Sequence, residues 1–354
     1  MGASLRAFVR HLFVYALYLS GALARAKKRV RSRGGVLVLT LHRVLPDQER
    51  SKTLSPPGML LREQTFASLV SYLSTEHRIV SLGEGQKVAT SNQRIPVAIT
   101  FDDGWADNAS YAYPILRRHA APATIFVCSE KMGQKLPFWP EKITALFRAS
   151  RSSRVHKQFS DVVAECAALP GEASVLQVID AIKRLPPEQR DRLLGRLEQM
   201  PFARDLDNSD HTDSTMTWET ARQLSKSGIV FGSHTAHHEI LTCLPVEFAR
   251  RELTQSRERV SAELGEPCFA MAYPNGNWSP EVRDIAASAG YQMAFANTPG
   301  FWSKQADPYT IPRINLWEGA VTGISGSFSR ACFDYVVFWK TLRETQASTP
   351  NPAR

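Results

Sequence analysis

Residues 95–105 spell Ile-Pro-Val-Ala-Ile-Thr-Phe-Asp-Asp-Gly-Trp, an apolar run that ends in two acidic residues and a glycine. The β-branched content and short length of this run are typical of a strand that is buried on both faces. Asp102 and Asp103 therefore lie where a strand gives way to a loop, which is where α/β folds carry their functional side chains. Taken alone, Asp-Asp-Gly is also a common turn sequence, since aspartate and glycine are frequent turn formers.

The two aspartates are expected to have different surroundings. Successive side chains of a strand point to opposite faces, and Gly104 lets the backbone turn away. One carboxylate can therefore bind a metal ion while the other acts as a base.

A second polar motif follows another apolar run, residues 228–231. Residues 232–238 are Gly-Ser-His-Thr-Ala-His-His and contain three of the nine histidines of the chain. On a helical turn, His234 and His238 would lie four positions apart and present both imidazoles to one point. With one carboxylate they would form a set that suits Zn²⁺, Fe²⁺ or Co²⁺. The alternative is a solvated histidine cluster on a loop, but that does not explain why both motifs follow apolar strands.

A third motif, Ala-Tyr-Pro-Asn-Gly at residues 272–276, lies at the end of a further predicted strand. Together with residues 100–104 and 232–238, it resembles the successive motifs of polysaccharide deacetylases of the NodB-homology, carbohydrate esterase 4 type. The resemblance extends over about residues 36–317.

The resemblance implies a role for each polar residue of the first two motifs. Asp102 would be the catalytic base. Asp103, His234 and His238 would bind one divalent metal ion, which we expect to be zinc, with cobalt or nickel as alternatives. His237 would take no part.

In that family the loop at residues 272–276 is associated with the substrate groove and with backbone donation to the oxyanion. We therefore expect Tyr273 and Pro274 to bind substrate together with Trp105. We also expect the backbone of Tyr273 to help stabilise the oxyanion.

Many family members use a histidine near the C-terminal end as general acid, whereas no histidine follows His238 in this chain. His42 directly follows the predicted first strand at residues 36–41, and we predict that it supplies this acid. The alternative is a structural histidine that hydrogen-bonds a neighbouring loop.

Many members also carry an arginine just before the aromatic-proline step, where this chain has Met271 and Ala272. We predict that Arg313, at the end of a later strand, orients the base instead. An ordinary surface ion pair is the alternative interpretation of this arginine.

Predicted strands alternate with predicted helices at residues 64–75, 246–264 and 279–289, which favours a parallel sheet with right-handed crossovers. The resemblance implies the distorted (β/α) barrel of the NodB-homology type. Residues 134–215 carry amphipathic stretches without a clear strand, which predicts a helical insertion over or beside the barrel mouth. Within it, the acid-rich residues 205–213 are predicted to be an exposed linker. The expected parts are a membrane-associating segment (1–33), the deacetylase domain with its insertion (34–322), and a C-terminal helix with a disordered tail (323–354).

The net charge of +9 resides almost entirely in the N-terminal segment. Residues 1–33 contain eight basic residues and no acidic one, which leaves about +1 for the rest of the chain. The near-neutral body removes the main support for nucleic-acid binding. The five cysteines show no CxxC spacing and indicate neither a disulfide framework nor a cysteine metal site.

Residues 12–24 are apolar but shorter than the roughly 20 residues that span a bilayer. The basic residues 25–33 follow directly and suit anionic headgroups on the cytoplasmic side. We therefore expect residues 1–33 to be a retained membrane anchor, with the domain on the cytoplasmic face. The alternatives are a signal peptide cleaved near residues 22–24, which would export the protein, and an amphipathic helix packed on the domain.

Together these patterns predict a metal-dependent hydrolase that removes N-acetyl groups from a polysaccharide or glycan containing N-acetylhexosamine, such as an exopolysaccharide. One alternative is a deacylase or deformylase that acts on a lipid-linked sugar. A non-catalytic, membrane-attached carbohydrate-binding protein is disfavoured, because Asp102, Asp103, His234 and His238 are all present.

Overall fold

The computed structural model describes residues 2–87, 94–136, 138–150, 153–167, 173–203 and 212–347. Ten strands lie in this part of the chain. They are β1 (Leu37–Leu41), β2 (Arg43–Leu45), β3 (Leu60–Arg62), β4 (Arg78–Ile79), β5 (Pro96–Phe101), β6 (Ala123–Val127), β7 (Ile229–Ser233), β8 (Ala270–Ala272), β9 (Met293–Phe295) and β10 (Ile314–Asn315).

The α-helices of the described residues connect and cover these strands. They are α1 (Gly2–Leu19), α2 (Ala22–Arg33), α3 (Asp47–Arg50), α4 (Glu63–Glu76), α5 (Leu82–Lys87), α6 (Tyr113–Arg118), α7 (Trp139–Ala149), α8 (Ser153–Ala167), α9 (Val175–Ile182), α10 (Pro187–Glu198), α11 (Trp218–Ser225), α12 (Val246–Leu264), α13 (Pro280–Ser288), α14 (Glu318–Val321), α15 (Arg330–Asp334) and α16 (Thr341–Ala347). The predicted helices at 64–75, 246–264 and 279–289 correspond to α4, α12 and α13.

Eight strands form one parallel sheet in the order β10-β1-β5-β6-β7-β8-β9, with β4 paired to the first residues of β5. The two ends of the sheet approach each other, because Ile311, three residues before β10, pairs with Phe295 at the end of β9. The predicted distorted (β/α) barrel is thereby confirmed, and the carboxyl ends of its strands meet at one rim.

The central strands β1, β5 and β6 are almost entirely apolar because both of their faces are buried. Alternate side chains such as Val38, Ala98 and Phe126 fill the barrel interior, and their neighbours pack under the surrounding helices. Gly232 in β7 has to be small, since a Cβ atom there would lie 2.6 Å from the Phe126 ring. Close packing of the interior thus holds the rim from which the polar motifs project.

Helices α7 to α10 lie within the range predicted as a helical insertion. They share an apolar cluster of their own, which includes Ile143, Phe159, Ile182 and Leu193. This cluster is separate from the barrel core, as expected for a substructure that packs beside it. The predicted boundaries of the insertion and of the other two parts stay predictions.

The N-terminal segment forms two helices that bend by 68° at a break where Gly21 has a φ of 71°. Val14 and Leu23 are buried against Ala331 and Cys332 of the C-terminal helices. Among the described residues, neither helix alone is long and apolar enough to cross a membrane, although the bent pair passes that test by length and composition.

Candidate active site

The first two motifs meet at the rim because β5 and β7 are parallel and flank β6. Asp102 and Asp103 follow β5, and His234 follows β7. Asp103 and Gly104 both have left-handed backbone conformations, with φ values of 75° and 76°. This turn rotates the Asp103 carboxylate to a different side from that of Asp102.

Asp103, His234 and His238 form a cluster whose ligand atoms all lie within 4.8 Å of one another. The Asp103 Oδ1 atom lies 3.5 Å from His234 Nε2 and 3.3 Å from His238 Nε2. It is buried, and the described residues give it no hydrogen-bond partner. A buried carboxylate oxygen between two imidazoles is the donor set of a divalent metal ion such as zinc, so the residues present fit the implied metal.

Neighbouring groups fix the orientation of these three side chains. His234 places its Nδ1 atom 2.8 Å from the carbonyl oxygen of Ala272, which leaves Nε2 facing Asp103. The Trp105 indole donates to Asp103 Oδ2 at 2.9 Å. Partners of this kind set the tautomer and direction of metal ligands.

The predicted helical turn between His234 and His238 is wrong. Thr235 and His238 have φ values of 69° and 67°, in the left-handed region that a right-handed helix excludes. The Thr235 hydroxyl accepts a hydrogen bond from the backbone N–H of His238 at 3.0 Å and holds the loop. The two imidazoles converge through this loop rather than through helical spacing.

The electrostatics of the cluster suit a cation. Burial alone would raise the pKa of Asp103, but His238, His42 and His234 lower it below its usual range. Burial lowers the pKa of His234 to about 4, which keeps this imidazole neutral at pH 7. An ionised Asp103 and a neutral His234 have the protonation states that metal binding requires. Burial would lower the pKa of His238, but Asp103 outweighs this effect and raises it.

Asp102 is held by a buried, bidentate ion pair with Arg313. The guanidinium donates to Asp102 Oδ1 at 2.7 Å and to Oδ2 at 2.8 Å, and the Arg313 side chain is wholly buried. Burial would raise the pKa of Asp102, but Arg313 lowers it. The alternative interpretation of Arg313 as a surface residue is therefore wrong, and the carboxylate is kept ionised and oriented.

Trp105 was predicted to bind substrate, but the structure does not place it in the lining of the cleft. Its side chain is fully buried, between the Arg43 guanidinium at 4.1 Å from the ring centre and the Phe138 ring at 5.1 Å. Its indole N–H donates a hydrogen bond to Asp103. Trp105 therefore supports a candidate metal ligand from behind instead of facing the cleft.

Tyr273 and Pro274 were also predicted to bind substrate, and both are buried. The Tyr273 hydroxyl donates to the Tyr309 carbonyl at 2.9 Å, and its backbone N–H donates to the Phe295 carbonyl at 3.0 Å. Because that N–H is used within the barrel, it is not free to bind an oxyanion. Neither residue is among the described residues that line the cleft.

The cleft is a cavity of about 260 Å³ above the rim. The barrel contributes His42, Asp102, Asp103, His234 and His238 to its lining. The insertion contributes a second wall, from the first turn of α7 and from Ile179 and Lys183 at α9. The predicted position of the insertion at the barrel mouth agrees with this arrangement.

His42 lines the cavity as its sequence position suggested, and its Nδ1 atom is buried without a hydrogen-bond partner among the described residues. His237 instead points away, since its Nδ1 atom lies 2.6 Å from Glu252 Oε1. The assignment of His42 as general acid stays a prediction.

Three residues that the sequence analysis did not single out also line the cavity: Glu141, Asn297 and Asn315. The side-chain oxygens of both asparagines are buried without partners among the described residues. An amide oxygen without a partner can accept a hydrogen bond from a hydroxyl group, such as that of a sugar. No spacing rule could have found them, because they come from three distant parts of the chain.

Behind the cavity, Arg43 pairs with Asp107 and Asp213 in a buried network. The Arg43 Nη1 atom also donates to Ser55 at 3.0 Å, and the Ser55 hydroxyl donates to Glu141 at 2.9 Å. The prediction of an exposed linker is wrong for Asp213, which is buried, while residues 205–211 lie outside the described residues. This network ties both ends of the insertion to the barrel.

Comparisons with known proteins identify similar sequences and folds. The sequence profile of the family described as Polysaccharide deacetylase matches residues 89–162 and 199–294. A curated relative named for the same family, YxkH of Bacillus subtilis (strain 168), is 20% identical over 232 residues, which are 66% of this chain and 55% of YxkH. This chain thus spans about half the length of that relative.

Solved structures share the fold. The Streptococcus pyogenes deacetylase PplD, in complex with acetate, has a TM-score of 0.51 and 16% identity over 80% of this chain and 92% of its own. BC0361, a polysaccharide deacetylase from Bacillus cereus, has a TM-score of 0.52 and 15% identity over 82% of this chain and 67% of its own.

Proposed function

Because the chain belongs to the polysaccharide deacetylase family, we propose that it is a metal-dependent hydrolase of N-acetyl groups on a glycan that contains N-acetylhexosamine. One observation carries the proposal: a base held by Arg313 lies beside the Asp103, His234 and His238 cluster in a single cavity. Amide hydrolysis needs a base for water and a centre of positive charge for the carbonyl oxygen.

Asp103, His234 and His238 would hold the metal, for which zinc is our first choice because two imidazoles and one carboxylate leave positions open for water and substrate. When bound, the metal would attract the negative charge that develops on the acetyl carbonyl oxygen and lower the pKa of a water molecule, contributions worth several kcal/mol.

The chain's own residues supply the rest of the reaction. Asp102, ionised and fixed by Arg313, takes a proton from the attacking water. Asn297 and Asn315 accept hydrogen bonds from sugar hydroxyls, which positions the acetamide against the base. The wall formed by α7 and α9 excludes bulk water from the cavity, which strengthens the electrostatic interactions inside.

The test of this function is acetate release from N-acetylglucosamine oligomers by the full-length protein in mild detergent. We expect release that disappears after chelation and returns with Zn²⁺ or Co²⁺, together with about one metal ion per chain. Absence of metal binding would contradict the proposal. Metal binding without acetate release would favour the alternative, a lipid-linked sugar or another acyl group.

We further propose that α1 attaches the protein to a membrane surface. Leu5, Leu12 and Leu19 are 64%, 52% and 84% exposed and recur every seventh residue, so they lie on nearly the same face of the helix. The basic residues of α2 follow directly, and they favour an anionic, cytoplasmic surface. Burial of Leu23 against the C-terminal helices supports a retained segment.

We expect replacement of Leu5, Leu12 and Leu19 by aspartate to abolish flotation with vesicles that contain phosphatidylglycerol. Each leucine loses up to about 1.5–3 kcal/mol of apolar transfer energy, so binding should fall by more than about tenfold. The control is Phe248→Asp, which removes an exposed apolar side chain from α12. Equal flotation of the triple variant and wild type would contradict membrane attachment through α1.

A further inference from the structure

Glu141 is a buried carboxyl group that the proposed reaction does not yet use. It lies in the first turn of α7, is only 2% exposed, and lines the cavity together with His42, Asp102 and His238. A carboxyl group is rarely buried without a cation or several donors around it. Its place on the substrate side of the insertion therefore calls for an explanation.

The contacts of Glu141 leave it free to hold a proton. Ser55 donates to its Oε1 atom at 2.9 Å, and the described residues offer no second hydrogen bond and no ion pair to the carboxyl group. Arg43 lies behind Ser55, but its guanidinium is engaged with Asp107 and Asp213. One carboxyl oxygen is thus fixed from behind, and the other remains available to the cavity.

The burial of Glu141 favours its protonated form. Burial raises its pKa to about 7, while the hydrogen bond from Ser55 opposes this effect. Burial lowers the pKa of the nearby His238, and the charge of Glu141 is among the effects that raise it. A carboxyl group that keeps its proton near neutral pH has the property that a general acid requires.

We propose that Glu141 is the catalytic residue that protonates the leaving amine. The proposal rests on the proposed deacetylase function and assigns to the insertion a role in the chemistry of that same site. It is an alternative to the prediction that His42 is the general acid.

Two carboxyl groups, those of Asp102 and Glu141, account for the protons that move in the reaction. Asp102 takes one proton of water while the hydroxyl oxygen forms a bond to the acetyl carbon. The C–N bond then breaks, the nitrogen takes the Glu141 proton, and acetic acid and the free amine leave. The proton on Asp102 passes through solvent to Glu141, which restores both groups.

The proposal predicts that replacement of Glu141 reduces activity by an amount that depends on the leaving group of the substrate. An amine must be protonated to leave, whereas the phenolate of 4-nitrophenyl acetate leaves without a proton. In the metal-loaded protein, Glu141→Gln should reduce acetate release from N-acetylglucosamine oligomers by roughly 10²–10⁴-fold. The same variant should change 4-nitrophenyl acetate hydrolysis by no more than about threefold, because the ester needs no general acid.

Glu198→Gln is the matched control, since Glu198 is also in the insertion and forms an exposed pair with Lys142. It should leave both activities unchanged. Glutamine keeps the size of the protonated carboxyl group and can still accept the Ser55 hydrogen bond, and the melting temperature of each variant verifies folding. Should the Gln variant not fold, Glu141→Asp, which withdraws the carboxyl from the cavity, is compared on the same two substrates.

The possible results distinguish a failure of the proposed Glu141 role from a failure of the proposed deacetylase function. Equal losses on amide and ester, an unaffected amide activity, or a leaving-group-selective loss in His42→Ala instead would each overturn the role of Glu141. A wild-type protein that hydrolyses neither substrate when loaded with metal would contradict the proposed function instead.

Discussion

Replacement of Asp102 by asparagine is expected to reduce acetate release by roughly 10²–10⁴-fold, the usual contribution of a positioned base. The amide of asparagine cannot take a proton from water. Metal content should remain near that of wild type, because Asp103, His234 and His238 are unchanged. The measurement is steady-state turnover on N-acetylglucosamine oligomers beside metal analysis of the same sample.

Two controls make this result specific. Asp103→Asn should lower turnover and metal content together, whereas Asp284→Asn, in an exposed pair with Arg283, should change neither. Asp102→Asn also leaves Arg313 buried without a counter-charge, so the folded fraction of each variant has to be measured at the assay temperature. Turnover within tenfold of wild type in a folded Asp102→Asn protein would exclude Asp102 as the base.

The strand pattern could be predicted because it follows from burial. A strand covered on both faces is mostly apolar, and residues 96–101 and 123–127 carry that signal, with Thr100 and Thr124 as their polar residues. The positions of Asp102 and His234 at the rim then follow from parallel pairing. This part of the site was accessible from the sequence because it depends on local pattern and topology alone.

The direction of individual side chains was not accessible in this way. Trp105 follows the first motif and Tyr273 lies within the third, yet both side chains are buried. Their polar atoms donate to Asp103 and to the Tyr309 carbonyl. Whether a side chain at the end of a strand faces a cleft or the core depends on which neighbours fill the space. The histidine loop shows the same limit, since a spacing of four fits a helical turn and also a loop with left-handed residues.

Long-range partners were the least predictable feature. Arg313 lies 211 positions after Asp102, and only closure of the barrel through residues 311–315 brings the two together. Glu141 reaches the cavity only because the insertion folds back over the rim. The position of Arg313 at a predicted strand end suggested its role but did not separate it from a surface ion pair. Nothing in the local sequence distinguishes Glu141 from the charged residues of a solvated surface.

Replacement of Arg313 by methionine is expected to destabilise the fold by about 3–5 kcal/mol at pH 7, because it leaves the buried Asp102 carboxylate without its cation. Turnover should also fall, since the base loses both its orientation and the charge that keeps it ionised. Arg313→Lys should be intermediate, because lysine restores a charge but not the bidentate geometry. Urea unfolding and turnover of the same preparations provide the measurement.

The loss of stability should depend on pH. Arg313 holds the pKa of Asp102 below its unfolded value of about 3.9. The stabilisation is therefore fully present above that pH and declines as the pH falls through the lower folded value. The difference in unfolding free energy between wild type and Arg313→Met should accordingly be larger at pH 7 than at pH 3.

The double variant Asp102→Asn, Arg313→Met tests whether the two residues stabilise the fold through their interaction with each other. If the cost of each single change comes from the charge left unpaired, removal of both charges should destabilise the protein by clearly less than the sum of the two single effects. Additive effects would mean that Asp102 and Arg313 do not stabilise each other. The barrel closure through residues 311–315 would then have to be explained by packing alone, and the orientation of the base by Arg313 would lose its energetic support.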